Sequence, residues 1–219
     1  MTGRKRDSGK SHSRPSAPRS QLAALLLYAA GKALHADRQL VAAFPKLAKA
    51  ANDRDVRRIC REGVDYSEER IARLLRVFDL LGAEPRVRAS PAMKGLIQSA
   101  LNAANNGFDN AARDAAILDS VFKISHFGRA GYWMACAYAE ALGDRKVKAV
   151  LMQSLKEKEE AIEEMMRIAE GELVPRIQRE DRAQGARAAS PRPRLGARPG
   201  AGAAAARTRR ASDRRSASN

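Results

Sequence analysis

Asp37 is the residue best placed for inward chemistry. It stands in ALHADRQL, with Ala33 and Leu40 on the same helical face. An acid inside an apolar helical stripe raises the question of a metal. A carboxylate-bridged pair of metals in a helical bundle takes a Glu from each of two helices and a Glu-x-x-His from each of the others. Ligands three or four residues apart share one helical face, close enough to hold the same ion. The stretch SHFGRAGYWMACAYAEALGD, Ser125–Asp144, offers a histidine in a helical pattern, but the centre of its inward stripe holds Gly128. His126 falls on the other side, toward solvent or a partner, and Ser125 lies near the stripe's edge. The inward slots of the preceding long segment hold Gly63 and Ser67, neither a good ligand. Glu157, at the edge of the last stripe, is the second acid able to turn inward. Asp37 and Glu157 alone do not make a dimetal centre. They leave at most a weak residual site for a hard divalent ion, and no other cofactor is called for.

Ser–His–Asp catalysis is excluded, because Ser125 and His126 are adjacent and face different sides of a helix. Met134, Met165 and Met166 read as core filler. Gly128 and Gly131 read as points of close helix approach covered by Trp133 or Tyr132, with an opened cavity in the place of former ligands as the alternative. Arg129, or water in the space at Gly128, is the expected partner of Asp37. On that reading Asp37 is a leftover ligand, and Asp37→Leu should leave the fold intact.

Five helical segments must position these residues, and no convincing strand appears. The first runs from Ser20, a plausible N-cap, to Ala51, with Leu22, Leu26, Ala29, Ala33, Leu40, Phe44 and Leu47 on one face. The second spans 53–81 and stops at Gly82. A short third helix starts at Pro91 and ends at NNG, 105–107. The fourth covers 109–142, with Gly143 as its stop, and the fifth covers 144–171. Four long helices with short connections predict an all-α four-helix bundle with one extra short helix.

The charge is unevenly spread. The chain has 219 residues and a formal net charge of +16. Residues 1–20 carry six Lys/Arg against Asp7, and residues 175–219 carry twelve Arg against three acids. The segment 21–174 is therefore close to neutral. It is read as the single folded domain, and the flanks as a disordered basic arm (1–20) and a disordered Arg/Ala/Pro/Ser-rich tail (175–219). Such arms neutralise phosphates without reading bases. Arg4, Lys5, Arg6, Arg207, Arg209, Arg210, Arg214 and Arg215 are the expected contacts to nucleic acid. Cys60 and Cys136 lack CxxC spacing and fit buried thiols of a reducing cytoplasm. The basic start followed by QLAALLLYAAG imitates a secretory leader, but its apolar stripe runs on to Ala48, so it is read as the first helix. No apolar run reaches the ~20 residues of a membrane span.

Four segments, RQLVAAFPKLAKAA (38–51), SEERIARLLRVFDLLG (67–82), RDAAILDS (113–120) and GYWMACAYAEALGD (131–144), resemble the ferritin-like YciE/YciF family of bacterial stress-associated proteins. The resemblance covers about residues 20–172. It implies a ferritin-like bundle, often a homodimer, in a family proposed to bind iron or another metal. Relatives usually carry Glu at the position of Asp37, a His near Gly63, and a Glu-His-Tyr-Glu run where this chain has Ser125, His126, Phe127 and Gly128. Glu157 matches an acidic position. The resemblance thus implies a kept fold with most metal ligands replaced. The leading reading is a non-catalytic structural or interaction protein of the bacterial stress response, with no small-molecule substrate. The alternatives are a nucleic-acid-associated bundle working through its basic tails and a residual metal-binding or iron-oxidase protein.

Overall fold

The structure, a computed structural model, describes residues 20–189. Among them are six helices: α1 (Gln21–Ala50), α2 (Arg54–Leu80), α3 (Pro91–Ala104), α4 (Asn110–Ala141), α5 (Arg145–Ile168) and α6 (Val174–Ala189). A single wider turn, Ala169–Leu173, joins α5 to α6. Local chemistry sets the boundaries. The Ser20 hydroxyl accepts the Ala23 N–H at 3.1 Å, Asp53 accepts from Asp55 and Val56, and Asp144 accepts from Val147; each satisfies donors left free at a helix start. Gly82 and Gly143 adopt φ of 61° and 70°, and just beyond them Ala83 and Asp144 donate back to Phe78 and Ala139. These closures are the glycine-dependent ends expected from the sequence.

The four long helices form the ferritin-like bundle. Neighbouring pairs are α1 with α2, α2 with α5, α5 with α4, and α4 with α1. The α1–α2 and α4–α5 turns are short, so each pair is antiparallel. Asp114, near the start of α4, accepts from the backbone at Asn52 and Asp53, just past the end of α1. Hence α4 runs against α1 and parallel to α2, and the chain must cross the length of the bundle between α2 and α4. The strap 81–90 and α3 make that crossing. The strap lies tightly on α1: the Arg88 N–H donates to the Gly31 carbonyl at 3.0 Å, and a Cβ on Gly31 would stand 2.3 Å from the Arg86 carbonyl oxygen. Only glycine permits that approach.

The sequence expectation of a tail from residue 175 is corrected over residues 175–189, which are helical. Pro175 directly follows the wider turn Ala169–Leu173, where the hydrogen-bond ladder is already shifted, and the Arg, Gln and Ala that follow are good helix formers. Arg176 adds a tertiary anchor. Its guanidinium reaches Asp53 at 2.8 Å and Asp114 at 3.2 Å, fastening α6 to the α1–α2 turn and to α4.

The interior divides into two apolar clusters. One joins Leu40, Phe44, Leu47, Val56, Cys60, Met93, Ile117, Ile124, Ile162 and Met165; the other joins Leu26, Leu34, Leu74, Phe78, Tyr132, Leu151 and Leu155. Each long helix passes from one cluster to the other, and the residues in between are polar or very small.

Candidate functional site

The interruption is a polar layer to which all four long helices contribute at the same level. On α1, Asp37 lies between Leu34 and Leu40; on α2, Gly63, Ser67 and Arg70 lie between Cys60 and Leu74. On α4, Ser125 and Gly128 lie between Ile124 and Tyr132, and on α5, Glu157 and Lys158 lie between Leu155 and Ile162. Asp37, Ser67, Arg70 and Lys158 are each at most 5% exposed.

Asp37 is held from two sides. Arg70 Nε donates to one carboxylate oxygen at 3.0 Å and the Tyr132 hydroxyl donates to the other at 2.7 Å. Burial, and the Asp37 charge after it, push the Tyr132 phenol well up, which keeps it a donor. Arg70 also donates to Ser67 Oγ at 2.9 Å, and that hydroxyl donates to the Gly63 carbonyl. Glu157 lies 3.7 Å from Arg70 and 2.5 Å from Arg73, which donates as well to Ser154. Its Oε2 is buried and has no hydrogen bond.

Lys158 completes the layer. It is buried and makes no hydrogen bond or ion pair. Its stem passes over Gly128, where a Cβ would stand 2.6 Å from Lys158 Cε. Burial, and next the Arg70 charge, lower its pKa to about 8, against the pull of Asp37 and Glu157.

Each sequence expectation meets a definite outcome. Asp37 and Glu157 do share one layer, bridged by Arg70. Arg129 is not the partner of Asp37; it pairs at the surface with Glu159. Gly128 is covered by Lys158 rather than by Tyr132 or Trp133, and Trp133 is 55% exposed. A Cβ on Gly131 would meet nothing within 4 Å, so no helix approaches it closely. Gly63 admits the Phe44 ring, 2.8 Å from where a Cβ would be. His126 is exposed and stacks edge-on against Phe122. Met165 is core, whereas Met134 and Met166 are exposed. Cys60 and Cys136 are buried free thiols, pushed by burial up to about 12 and about 11. Arg4, Lys5, Arg6, Arg207, Arg209, Arg210, Arg214 and Arg215 lie outside the described residues.

Sequence reasoning missed Arg70 and Lys158. The signal was present in both cases. Cys60, Gly63, Ser67, Arg70 and Leu74 follow one face of α2, and Leu151, Leu155, Lys158, Ile162 and Met165 follow one face of α5. Lys158 is embedded in KEKEE, whose charge suggested a solvated face.

With the layer in view, comparison with known proteins settles the family. The family model described as a domain of unknown function, DUF892, matches residues 21–178. The chain belongs to this family. The resemblance to YciE/YciF proteins is borne out by protein YciF of Escherichia coli K12, which is 29% identical over 126 residues, 56% of this chain and 74% of YciF. Two solved structures share the fold. YcfI of Rhodopseudomonas palustris, provisionally named a structural protein, matches with a TM-score of 0.64 at 29% identity, covering 67% of this chain and 93% of YcfI. The E. coli stress protein YciF matches at 0.66 and 24% identity, covering 68% of this chain and 95% of that one. Among the described residues of this family member, no helix is long and apolar enough to cross a membrane.

Proposed function

We propose that this chain is a non-catalytic structural or interaction protein of a bacterial stress response, a cytoplasmic homodimer in which ion pairs within the bundle replace a metal centre. The observation that carries this reading is the engagement of Asp37 by both Arg70 and Tyr132. A dimetal centre needs inward acids free to ligate and several of them. Here both oxygens of Asp37 accept from protein donors, and Glu157 is drawn to Arg73 and Arg70. Among the described residues no group of three or more His, Cys, Asp or Glu side chains is gathered as a metal would require. The guanidinium of Arg70 and the ammonium of Lys158 occupy the layer with positive charge of their own, and Gly63 and Gly128 give up their space to Phe44 and Lys158. These residues do not fit an iron pair. The names of the relatives, a stress protein and a provisional structural protein, support a role outside catalysis.

The test is metal analysis of the purified protein together with an iron-oxidation assay. The expected result is no stoichiometric iron and no oxidation above the buffer rate. Iron near two per chain, lost in Asp37→Asn, would overturn the reading.

A second reading rests on the charge. The net +16 lies almost wholly outside residues 21–174, and α6 adds exposed Arg179, Arg182 and Arg187. Non-specific phosphate binding through these arms predicts a DNA mobility shift that weakens steeply with salt and disappears when both flanks are removed.

A further inference from the structure

Lys158 stands out as a buried amine without a partner. It forms the floor, with Asp37, Tyr132 and Gly128, of a groove of about 400 Å³ between α1 and α4. The rim is apolar: Leu25, Tyr28, Phe127 and Met134 are 37–50% exposed along it, and Ala33 and Ala130 line it between them. An apolar cleft of this size with a few convergent polar groups at its base is the usual form of a small-ligand site. We propose that the groove binds a small apolar monocarboxylate, an alkyl or aryl chain carrying one carboxylate, with its head on the Lys158 ammonium and its chain along the α1–α4 rim.

Charge selects the head group. Asp37 pairs with Arg70, and Glu157 and Glu69 pair with Arg73, so each acid around the layer is held by an arginine. Lys158 is the cation of the layer with no carboxylate in contact. A buried unpaired charge is unfavourable, so a monoanion entering the groove gains a charge-assisted hydrogen bond and relieves that cost. Lys32 is the other cation of the lining, beside Tyr28 at the rim, and the Asp37 carboxylate on the floor disfavours an anion of higher charge. Burial, and after it the Arg70 charge, lower the Lys158 pKa to about 8, which leaves the amine charged at pH 7. The absent side chain at Gly128 is what lets the amine cross to the groove: its Nζ lies 3.1 Å from the position a Cβ would take.

The site is independent of the structural role proposed above, and its test does not involve metal. Octanoate, kept below its micellar concentration, is titrated calorimetrically into the full chain at pH 7, with 1-octanol as the neutral control. The expected result is saturable octanoate binding, at least tenfold weaker in Lys158→Met and in the rim variant Leu25→Asp, and octanol binding that Lys158→Met leaves unchanged. Absence of saturable octanoate binding, or equal affinity in wild type and Lys158→Met, would overturn the proposal. So would a Leu25→Asp chain that turns from dimer to monomer while neither form binds octanoate, because the rim would then be covered by a second copy.

Discussion

Two buried ionic clusters in this bundle are built from the same residue types and end in different states. At the end of the bundle, Asp53 and Asp114 surround Arg176. All four of their carboxylate oxygens have donors: Asn52 N–H and Asp53 N–H on Asp114, Asp55 N–H and Val56 N–H on Asp53, and the guanidinium on both. At the middle, Asp37 is satisfied, but one oxygen of Glu157 has no hydrogen bond and Lys158 makes neither a hydrogen bond nor an ion pair, feeling Asp37 and Glu157 only at longer range. The end cluster joins a turn, a helix start and α6 with backbone donors that the fold supplies anyway. The middle cluster relies on side chains from four helices, leaves one amine unpaired, and borders a cavity. A cluster whose carboxylates are all satisfied fastens chain segments, even with Arg176 Nε left without an acceptor; one with an unpaired amine beside a groove is where a ligand can add something.

Burial shifts a group in each cluster, in opposite directions for acid and base. The end cluster has two acids for one cation, and burial outweighs its donors at Asp114, raising that carboxyl, while its backbone donors and Arg176 leave Asp53 lowered. In the middle cluster burial, and next the Arg70 charge, lower the lysine.

The largest expected effect comes from Arg70→Met. It strips Asp37 of its cation and leaves a buried charge with one phenol, at a cost of about 3–5 kcal/mol. Denaturant melts at pH 7 check it; a loss under about 1 kcal/mol would mean the middle cluster is as slack for Asp37 as it is for Lys158. The next is Lys158→Met, which should stabilise. The folded lysine titrates near 8 and the unfolded one near 10.5, so the unfolded chain binds more protons between those values and wild-type stability rises with pH across that window. The variant should lack that rise and be more stable at pH 7 by up to about 3 kcal/mol. Melts at pH 7, 8, 9 and 10 measure both quantities, and parallel curves would show that Lys158 is not the unpaired charge.

Arg176→Ala should cost about 2 kcal/mol, because Asp114 keeps two backbone donors and Asp53 keeps its capping role. Hydrogen exchange should show α6 opening while α1–α5 stay protected, and unchanged protection of α6 would remove the clamp from the account. The smallest effect is that of Gly63→Ala. Helix propensity favours it by about 1 kcal/mol, but the Phe44 ring is fixed in the core and must shift. A net loss of about 1 kcal/mol is expected; a gain would show slack packing on that side of the layer.

The fold was legible because its signals are local and periodic. Ser20, Gly82 and Gly143 mark helix ends by their own conformational needs, and the apolar stripes of α1, α2, α4 and α5 place the two clusters. The inward position of Asp37 followed from the same periodicity. Its partners did not. Arg70 is 33 positions away and Tyr132 is 95, and their meeting depends on which helices neighbour which. Arg129, expected from the edge of the α4 stripe beside water as the other candidate, instead pairs at the surface with Glu159. Residues 175–189 were assigned to a tail by composition, and Arg176 shows why that failed: a basic residue there has two buried acids to meet.

The central claim is that protein cations, and not a metal, hold Asp37 in place. Thermal unfolding of wild type and Asp37→Leu, each with and without chelator, tests it most directly. The sequence alone suggested that Asp37→Leu would be harmless. With Arg70 and Tyr132 both bonded to Asp37, the substitution should instead cost about 3 kcal/mol by stranding a buried guanidinium. The account predicts a wild type whose melting temperature is unmoved by chelator and a variant destabilised equally in both conditions. A wild type that loses stability on chelation, down to the level of Asp37→Leu, would contradict it.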